Sequence, residues 1–228
     1  MLIDTHCHFD MMDCPEQYID NVEKNGDIVI GMTNLPNHFE MGINHIKGYR
    51  HVRLALGFHP QLAVQSDNEI FKFQKYVDST SYIGEIGLDF SKEYIATKDI
   101  QINNLKQILT VLRNKNKIIS VHSRDAESEL FELLKQYEIK NVIFHWYSGK
   151  LSLINSIIEE GYFFSINEKM TLSKMGKSII SKIPKERVLT ETDSPFNTRA
   201  NIRAAMQNIG ISEQEVYNNF QSLMKRLS

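Results

Sequence analysis

The chain opens with the stretch Leu2-Ile3-Asp4-Thr5-His6-Cys7-His8-Phe9-Asp10, which we interpret as a short β-strand that ends in two histidines. Because side chains on a strand point alternately to opposite faces, His6 and His8 project to one side and Cys7 to the other. Imidazole nitrogens suit a divalent cation such as Zn²⁺ or Mn²⁺, whereas Cys7 is better explained by packing. Two histidines at this spacing also occur by chance, so the metal interpretation depends on further ligands elsewhere in the chain.

Apolar runs typical of strands recur along the chain, and stretches with helical spacing lie between them. Most of these runs are apolar on both faces, as expected of parallel strands that helices cover. The strict alternation of strand and helix predicts an α/β fold, a (β/α)8 TIM barrel that forms a single domain over residues 1–228. The eight predicted strands are Leu2–Thr5, Asp27–Thr33, Val52–Gly57, Tyr82–Glu85, Lys117–His122, Asn141–Trp146, Tyr162–Ile166 and Arg187–Glu191. Two predicted helices carry apolar stripes, made of Leu105, Ile108, Leu109 and Leu112 and of Val216, Phe220, Leu223, Met224 and Leu227.

Charge and composition argue against a strongly basic nucleic-acid-binding protein, a membrane-spanning protein and a disulfide-rich secreted protein. The net charge of −2 gives no overall field that would attract nucleic acid, so bound metal would have to supply positive charge if the substrate is a phosphodiester. No apolar run approaches the roughly 20 residues of a membrane span, and no signal peptide is recognisable. The two cysteines, Cys7 and Cys14, cannot form a disulfide framework. These features predict a cytoplasmic protein.

Polar residues are concentrated where the predicted strands end. In a (β/α)8 barrel the reactive side chains lie at the carboxyl ends of the strands. The segments at those ends are His6 to His8, Gly57-Phe58-His59-Pro60, Gly84-Glu85-Ile86-Gly87-Leu88-Asp89, Val121-His122-Ser123-Arg124-Asp125, Phe144-His145-Trp146 and Glu191-Thr192-Asp193-Ser194-Pro195. The remaining histidines, His38, His45 and His51, lie away from strand ends, and we expect them on the surface.

In this order the motifs His6-x-His8, Gly84-Glu85-Ile86-Gly87-Leu88-Asp89, His122-Ser123-Arg124 and Glu191-Thr192-Asp193-Ser194-Pro195 resemble the TatD family of metal-dependent hydrolases, in the amidohydrolase superfamily. The resemblance covers residues 1 to about 197. It implies a binuclear site for two divalent metal ions, Mg²⁺, Mn²⁺ or Zn²⁺, with Glu85 bridging them. The implied ligands are His6, His8, Glu85, His122, His145 and Asp193. Members of this family are mostly described as deoxyribonucleases, so the implied substrate is DNA.

Elementary chemistry agrees with this ligand set. Four imidazoles and two carboxylates give two divalent ions a mixed nitrogen and oxygen shell with positions left for water and substrate. Two such ions lower the pKa of a shared water and hold both oxygens of an in-line displacement. We therefore expect a bridging hydroxide to be the nucleophile. Asp193 is the candidate general base, since a carboxylate beside the water can accept its proton, and Glu85 is the other candidate catalytic residue.

Several residues near the proposed ligands have two interpretations each. His59 and Arg124 are predicted substrate contacts, because guanidinium donors match phosphate oxygens. Arg124 could instead form a salt bridge with Asp125 or Asp89, and His59 could be satisfied by loop backbone. Asp10 and Asp89 could orient metal-bound imidazoles or cap turns.

The resemblance weakens at two places. Trp146-Tyr147 follows His145 where family members commonly have a small residue or cysteine, and this pair could stack a nucleobase or pack at the rim. Phe196-Asn197-Thr198-Arg199 replaces the usual continuation, and the remaining chain is short. The basic residues around the predicted seventh helix form either a nucleic-acid track or a solvated face: Lys169, Lys174, Lys177, Lys182, Lys185 and Arg187.

Two other functions remain open at this stage. The same machinery serves amide and ester hydrolysis in the superfamily, and fold does not fix substrate. The chain could also act mainly by binding protein partners, because short TatD-like proteins occur in multi-gene anti-phage systems of the Qat type. The complete ligand set argues against an inactive enzyme.

Overall fold

The structure is a computed structural model that describes residues 1–197 and 199–227, with backbone only at 66 and 67. The strands are β1 Ile3–Cys7, β2 Ile28–Gly31, β3 Val52–Leu54, β4 Leu56–Phe58, β5 Tyr82–Asp89, β6 Ile118–Arg124, β7 Val142–His145, β8 Phe163–Ile166 and β9 Val188–Thr190. The helices are α1 Pro15–Asn25, α2 Pro36–Gly42, α3 Ser66–Tyr76, α4 Lys98–Leu112, α5 Glu127–Gln136, α6 Ile154–Glu159, α7 Glu168–Leu172, α8 Lys174–Ile180, α9 Ile202–Ile209 and α10 Glu213–Met224.

All paired strands run parallel and follow one another in sequence order. Within the described residues they form a three-stranded sheet, β1-β2-β3, and a six-stranded sheet, β4 to β9. The last strand continues into a segment that returns to the first: the Asp193 amide donates to the His6 carbonyl at 2.9 Å, and the His8 amide donates to the Ser194 carbonyl at 2.7 Å. The carboxyl ends of β1 and β9 are therefore side by side.

The third predicted strand, Val52–Gly57, is divided into β3 and β4 at Ala55. There the Ala55 amide donates to the Gly31 carbonyl at 2.7 Å. The Thr33 hydroxyl donates to the Ala55 carbonyl at 2.9 Å and accepts from the Gly57 amide at 3.0 Å. One side chain thus satisfies the backbone groups that a continuous ladder would otherwise pair, and the uninterrupted strand that we predicted is wrong at this point.

The β5 strand is longer than predicted and runs from Tyr82 to Asp89, with all eight residues buried. Gly87 has a φ of 146°, and a Cβ built on it would lie 2.0 Å from the carbonyl oxygen of His122 on β6. Only glycine allows this approach. The close contact keeps Glu85 and His122, one on each strand, in the same region of the molecule.

Burial follows the predicted apolar patterns. Leu105, Ile108, Leu109 and Leu112 are buried along α4, and Val216, Phe220 and Leu223 are buried along α10. A capping box starts α10, in which Ser212 and Glu215 satisfy each other's backbone amides. Among the described residues, no helix has the length and apolar character that crossing a membrane requires.

Candidate metal centre and its cavity

Glu85 lies at the centre of a cluster of histidines, and its two oxygens face different members. Oε2 lies 3.4 Å from His6 Nε2 and 3.3 Å from His8 Nε2. Oε1 lies 2.7 Å from His122 Nδ1 and 2.9 Å from His145 Nε2. The carboxylate thus stands between two pairs of imidazoles that come from the ends of β1, β6 and β7.

Asp193 joins the pair from β1. Its Oδ1 lies 3.8 Å from His6 Nε2 and 3.7 Å from His8 Nε2. Asp193 follows β9 with a φ of 53°, in a segment whose backbone is bonded to β1. The structure therefore brings all six of the sequence-predicted ligand residues into one cluster.

His59 also contacts this cluster, because its Nε2 lies 3.3 Å from Glu85 Oε2. Among the residues that the structure describes, three overlapping groups of donor atoms lie within 4.8 Å of one another and could hold an ion. They consist of His6, His8 and Asp193; of His6, Glu85 and His145; and of His59, Glu85 and His122. His59, which we predicted as a substrate contact, is thus also close enough to be a ligand.

The chemistry of these donors fits a divalent cation. His6 Nε2 and His8 Nε2 face each other at 3.3 Å, although ring nitrogens of two neutral imidazoles attract each other only if one carries a proton. A buried set of imidazoles and carboxylates whose donor atoms converge is the environment that Zn²⁺ or Mn²⁺ selects. The residues present therefore fit metal binding.

Burial and neighbouring charges move the pKa values of the cluster in different directions. Burial opposes ionisation of Glu85, but the surrounding imidazoles hold the pKa of its carboxyl well below the usual range. Burial raises the pKa of Asp193 to about 7. Burial, together with the charge on His145, lowers the pKa of His6. The charges of Glu85 and Glu191 outweigh burial and raise the pKa of His145. The cluster therefore holds an anionic carboxylate among imidazoles of unequal basicity.

A second layer of polar groups contacts the ring nitrogens that point away from Glu85. His6 Nδ1 lies 2.8 Å from the Ser120 hydroxyl, and His122 Nε2 lies 3.0 Å from Asp89 Oδ2. His145 Nδ1 lies 3.5 Å from Glu191 Oε2. Such partners fix ring orientation in metal sites. Asp89 thus contacts His122 with one oxygen, and its other oxygen caps a turn by accepting from the Ser91 amide at 2.9 Å, so its contacts fit both of the roles we considered for it.

The cluster forms part of the wall of an open cavity of about 740 Å³. Its lining combines the proposed ligands with aromatic, cationic and amide side chains. The residues are His8, Met11, Asn34, His38, His59, Gln61, Leu62, Glu85, His122, Ser123, Arg124, His145, Trp146, Ser148, Lys169, Asp193 and Phe196. Arg124 is exposed and lines this cavity. Among the described residues, its guanidinium forms no salt bridge with Asp89 or Asp125.

Several residues of the cavity were not predicted from the sequence. His38, which we expected on the surface, is half-buried on α2 and lines the cavity beside Asn34. Asn34 Oδ1, His38 Nδ1 and Asp10 Oδ1 are buried without a hydrogen-bond partner among the described residues. The sequence did contain a signal for Asn34, because Thr33-Asn34 is the polar end of the second predicted strand. His45 is exposed as expected, and His51 pairs with Glu23 at 3.3 Å.

The two aromatic residues after His145 have different positions. Tyr147 is buried, packs against Phe144 and Phe164, and donates its hydroxyl hydrogen to the Lys150 carbonyl at 2.8 Å. Tyr147 is therefore a packing residue, whereas Trp146 lines the cavity.

The basic side chains around the predicted seventh helix do not face one common surface. Lys169 lines the cavity, Lys185 lies 3.9 Å from Glu215, and Arg187 stacks over Phe163 at 5.1 Å. This arrangement favours a solvated face over a continuous nucleic-acid track. Cys7 is buried and points toward the Tyr18 hydroxyl at 3.5 Å, which agrees with the packing role predicted for it.

Comparison with known proteins gives concordant results. A family model described as TatD related DNase matches residues 3–224. A metal-dependent hydrolase of Methanocaldococcus jannaschii is 28% identical, with 94% of this chain and 90% of that protein covered. Deoxyribonuclease TATDN3 of Homo sapiens is 26% identical, with 94% of this chain and 86% of that protein covered. The crystal structure of YjjV, a TatD homolog from Escherichia coli, has a TM-score of 0.83 at 22% identity, covering 99% of this chain and 97% of that one. That likeness confirms the predicted α/β fold of the TIM-barrel type.

Proposed function

The chain belongs to the TatD family of metal-dependent hydrolases, and from that premise we propose that it hydrolyses phosphodiester bonds of DNA at a centre of two divalent metal ions. Family membership confirms the resemblance and the predicted enzyme class, a metal-dependent hydrolase of ester bonds. The observation that carries the proposal is the division of the Glu85 oxygens between two pairs of histidines.

In this proposal His6, His8 and Asp193 would hold one ion, His122 and His145 would hold the other, and Glu85 would be a ligand shared by the two groups. When bound, divalent ions lower the pKa of water and neutralise the charge of a phosphate. The chain itself has a net charge of −2 and the cavity contains Glu85 and Asp193, so bound cations would add to the positive charge that Arg124 and Lys169 offer a phosphodiester there.

Three residues of the cavity, Asp193, Arg124 and His59, have different proposed roles. Asp193 would accept the proton of the attacking water, since its carboxylate lines the cavity beside His6 and His8 and a carboxylate next to the water can take its proton. Arg124 contacts phosphate oxygens from the cavity rim with a planar set of donors. His59 either contacts the substrate or adds a ligand: its position in the cavity wall supports the first role, and its 3.3 Å distance from Glu85 supports the second.

Cleavage of end-labelled DNA tests the proposal. We expect hydrolysis in Mg²⁺ or Mn²⁺, none in chelator and none in Glu85→Ala, while the surface variant Glu132→Ala keeps wild-type activity. The product ladder then separates trimming from an end from internal cutting. Metal binding without DNA cleavage, together with hydrolysis of nitrophenyl carboxylate esters or cyclic amides, would overturn the proposed substrate in favour of ester or amide hydrolysis.

The expectations of a cytoplasmic location and of protein partners in an anti-phage system come from the sequence alone, and they stay predictions. Co-purification of the tagged chain with the products of neighbouring genes tests the second of them. An activity that appears only when such a partner is added would support a role in a multi-protein assembly.

A further inference from the structure

Trp146, the single tryptophan of the chain, has an unusual position. It directly follows the proposed ligand His145 and has a φ of 38°, in a region that bulky residues rarely adopt. The indole is half-buried and lines the cavity, whereas the next residue, Tyr147, turns into the core. A large aromatic ring that is partly packed against the core is thus also presented to the cavity beside the metal cluster.

A cation lies against this ring. The Lys169 ammonium is 5.1 Å from the centroid of the Trp146 ring, and Lys169 is an exposed residue in the first turn of α7 that also lines the cavity. Among the described residues, no carboxylate lies within 4.0 Å of this ammonium. The adjacent Glu168 carboxylate instead accepts from the Asn201 amide at 3.2 Å. The cavity therefore has an aromatic ring next to an ammonium group that, among the described residues, forms no ion pair with a carboxylate.

An aromatic face and a cation are the two groups that recognise the two parts of a nucleotide, its base and its phosphate. We propose that Trp146 and Lys169 form a nucleotide subsite next to the metal centre, in which the indole stacks on a nucleobase and the ammonium pairs with the adjoining phosphate. The inference rests on the proposed hydrolysis of DNA and assigns two residues of this chain to substrate selection.

Lys169 can contact the indole in the free protein and a phosphate in the complex, because its ammonium stands on a flexible four-carbon stem. Without substrate the ammonium covers the ring. With substrate it moves to a phosphate oxygen, and the base takes its place on the indole. A base can stack in this way only where no neighbouring base covers its face, so the subsite selects a nucleotide at a strand end or in an unstacked single strand.

Because the chain has one tryptophan, fluorescence excited at a wavelength that tyrosine does not absorb reports on this ring alone. In the wild-type chain loaded with Mg²⁺, we expect a short oligothymidylate with hydrolysis-resistant phosphorothioate linkages to quench the fluorescence in a saturable titration. An abasic oligomer of the same length and charge should cause much less quenching. Equal quenching by both oligomers, or no quenching by either, would overturn the subsite.

Kinetic variants provide a second test that does not depend on fluorescence. Trp146→Ala should raise KM for oligothymidylate about tenfold with a smaller effect on kcat, and Trp146→Phe should restore most of the loss. Lys169→Ala should raise KM as well. Phe71→Ala, which removes a 70% exposed ring on α3, should leave KM unchanged. An equal KM in wild type, Trp146→Ala and Phe71→Ala would contradict the proposal.

The two proposals fail in different ways. Metal-dependent DNA cleavage with fluorescence that does not distinguish bases from abasic sites would leave the deoxyribonuclease function standing and remove the subsite. Base-selective quenching without any DNA cleavage would remove the deoxyribonuclease function and keep the nucleotide subsite.

Discussion

Glu85 and Asp4 are both buried carboxylates, 2% and 5% exposed, yet their surroundings differ completely. Glu85 is surrounded by imidazoles, and their charges hold the pKa of its carboxyl low despite burial. Asp4 accepts hydrogen bonds from the Thr192 amide at 3.0 Å, the Thr192 hydroxyl at 2.6 Å and the His6 amide at 3.2 Å, and burial raises its pKa to about 7.

The difference separates function from structure. The Asp4 contacts are made by neutral donors of the chain, two on Thr192 and one on His6, and they connect β1 to the segment after β9. The contacts of Glu85 are with residues that can themselves bind a metal. A buried carboxylate whose neighbours are potential ligands is therefore the better candidate for chemistry, and one satisfied by neutral donors stabilises the fold.

The largest effect is expected when Glu85 is removed. Glu85→Ala should lower DNA hydrolysis on the order of a thousandfold or more, because groups that act as one unit in catalysis lose most of the rate together. The circular dichroism spectrum should stay that of the wild type. An active Glu85→Ala would remove the distinction between Glu85 and Asp4.

Asp4→Ala should have the opposite effect, because it should lower the stability of the fold and not act directly on hydrolysis. It leaves the buried Thr192 amide and hydroxyl without an acceptor, and we expect the free energy of unfolding to fall by about 2–4 kcal/mol. Urea denaturation measures this loss. Asp4→Asn, which keeps one acceptor oxygen, should lose less, and equal losses in both variants would show that the hydrogen bonds are not the cause.

Glu191→Gln is expected to weaken metal binding about 10- to 100-fold while the fold is retained. Glu191 Oε2 faces His145 Nδ1 at 3.5 Å, and Oε1 accepts from the Asn167 amide at 2.8 Å. A neutral amide no longer stabilises the imidazole in its ligand orientation. Titration calorimetry with Mn²⁺ measures the affinity, and an unchanged value would place Glu191 with Asp4 among the structural carboxylates.

The smallest effect is expected at Glu40, a surface carboxylate. The Tyr76 hydroxyl and the ammonium groups of Lys72 and Lys75 lower its pKa from 4.5 to about 2. A lowered carboxyl pKa stabilises the fold above pH 4.5 and less so as the pH falls toward 2. Glu40→Gln should therefore be slightly less stable than wild type at neutral pH, and thermal unfolding should show this gap closing in acid.

Much of the fold was predictable because its signals are local. Apolar runs and helical spacing indicated the parallel strands and α4. The ends of those strands contained the six clustered residues, and the resemblance to the TatD family selected these six as ligands. The interruption at Ala55 was not predictable, since it depends on the hydroxyl of Thr33 on a neighbouring segment.

The cavity beyond the cluster was harder to predict, because its residues reach it through tertiary packing. His38 comes from α2 rather than from a strand end, and Lys169 reaches the cavity from α7. The separate positions of Trp146 and Tyr147 depend on the positive φ of Trp146, which a sequence pattern does not reveal for a residue other than glycine.

The most direct test of the central claim is the metal content of the purified chain after equilibration with Mn²⁺ and removal of free ion, determined by elemental analysis for wild type, Glu85→Ala and Glu132→Ala. We expect two ions per chain in wild type and Glu132→Ala, with marked loss in Glu85→Ala. Two ions per chain in Glu85→Ala, or none in wild type, would contradict a binuclear centre organised by Glu85.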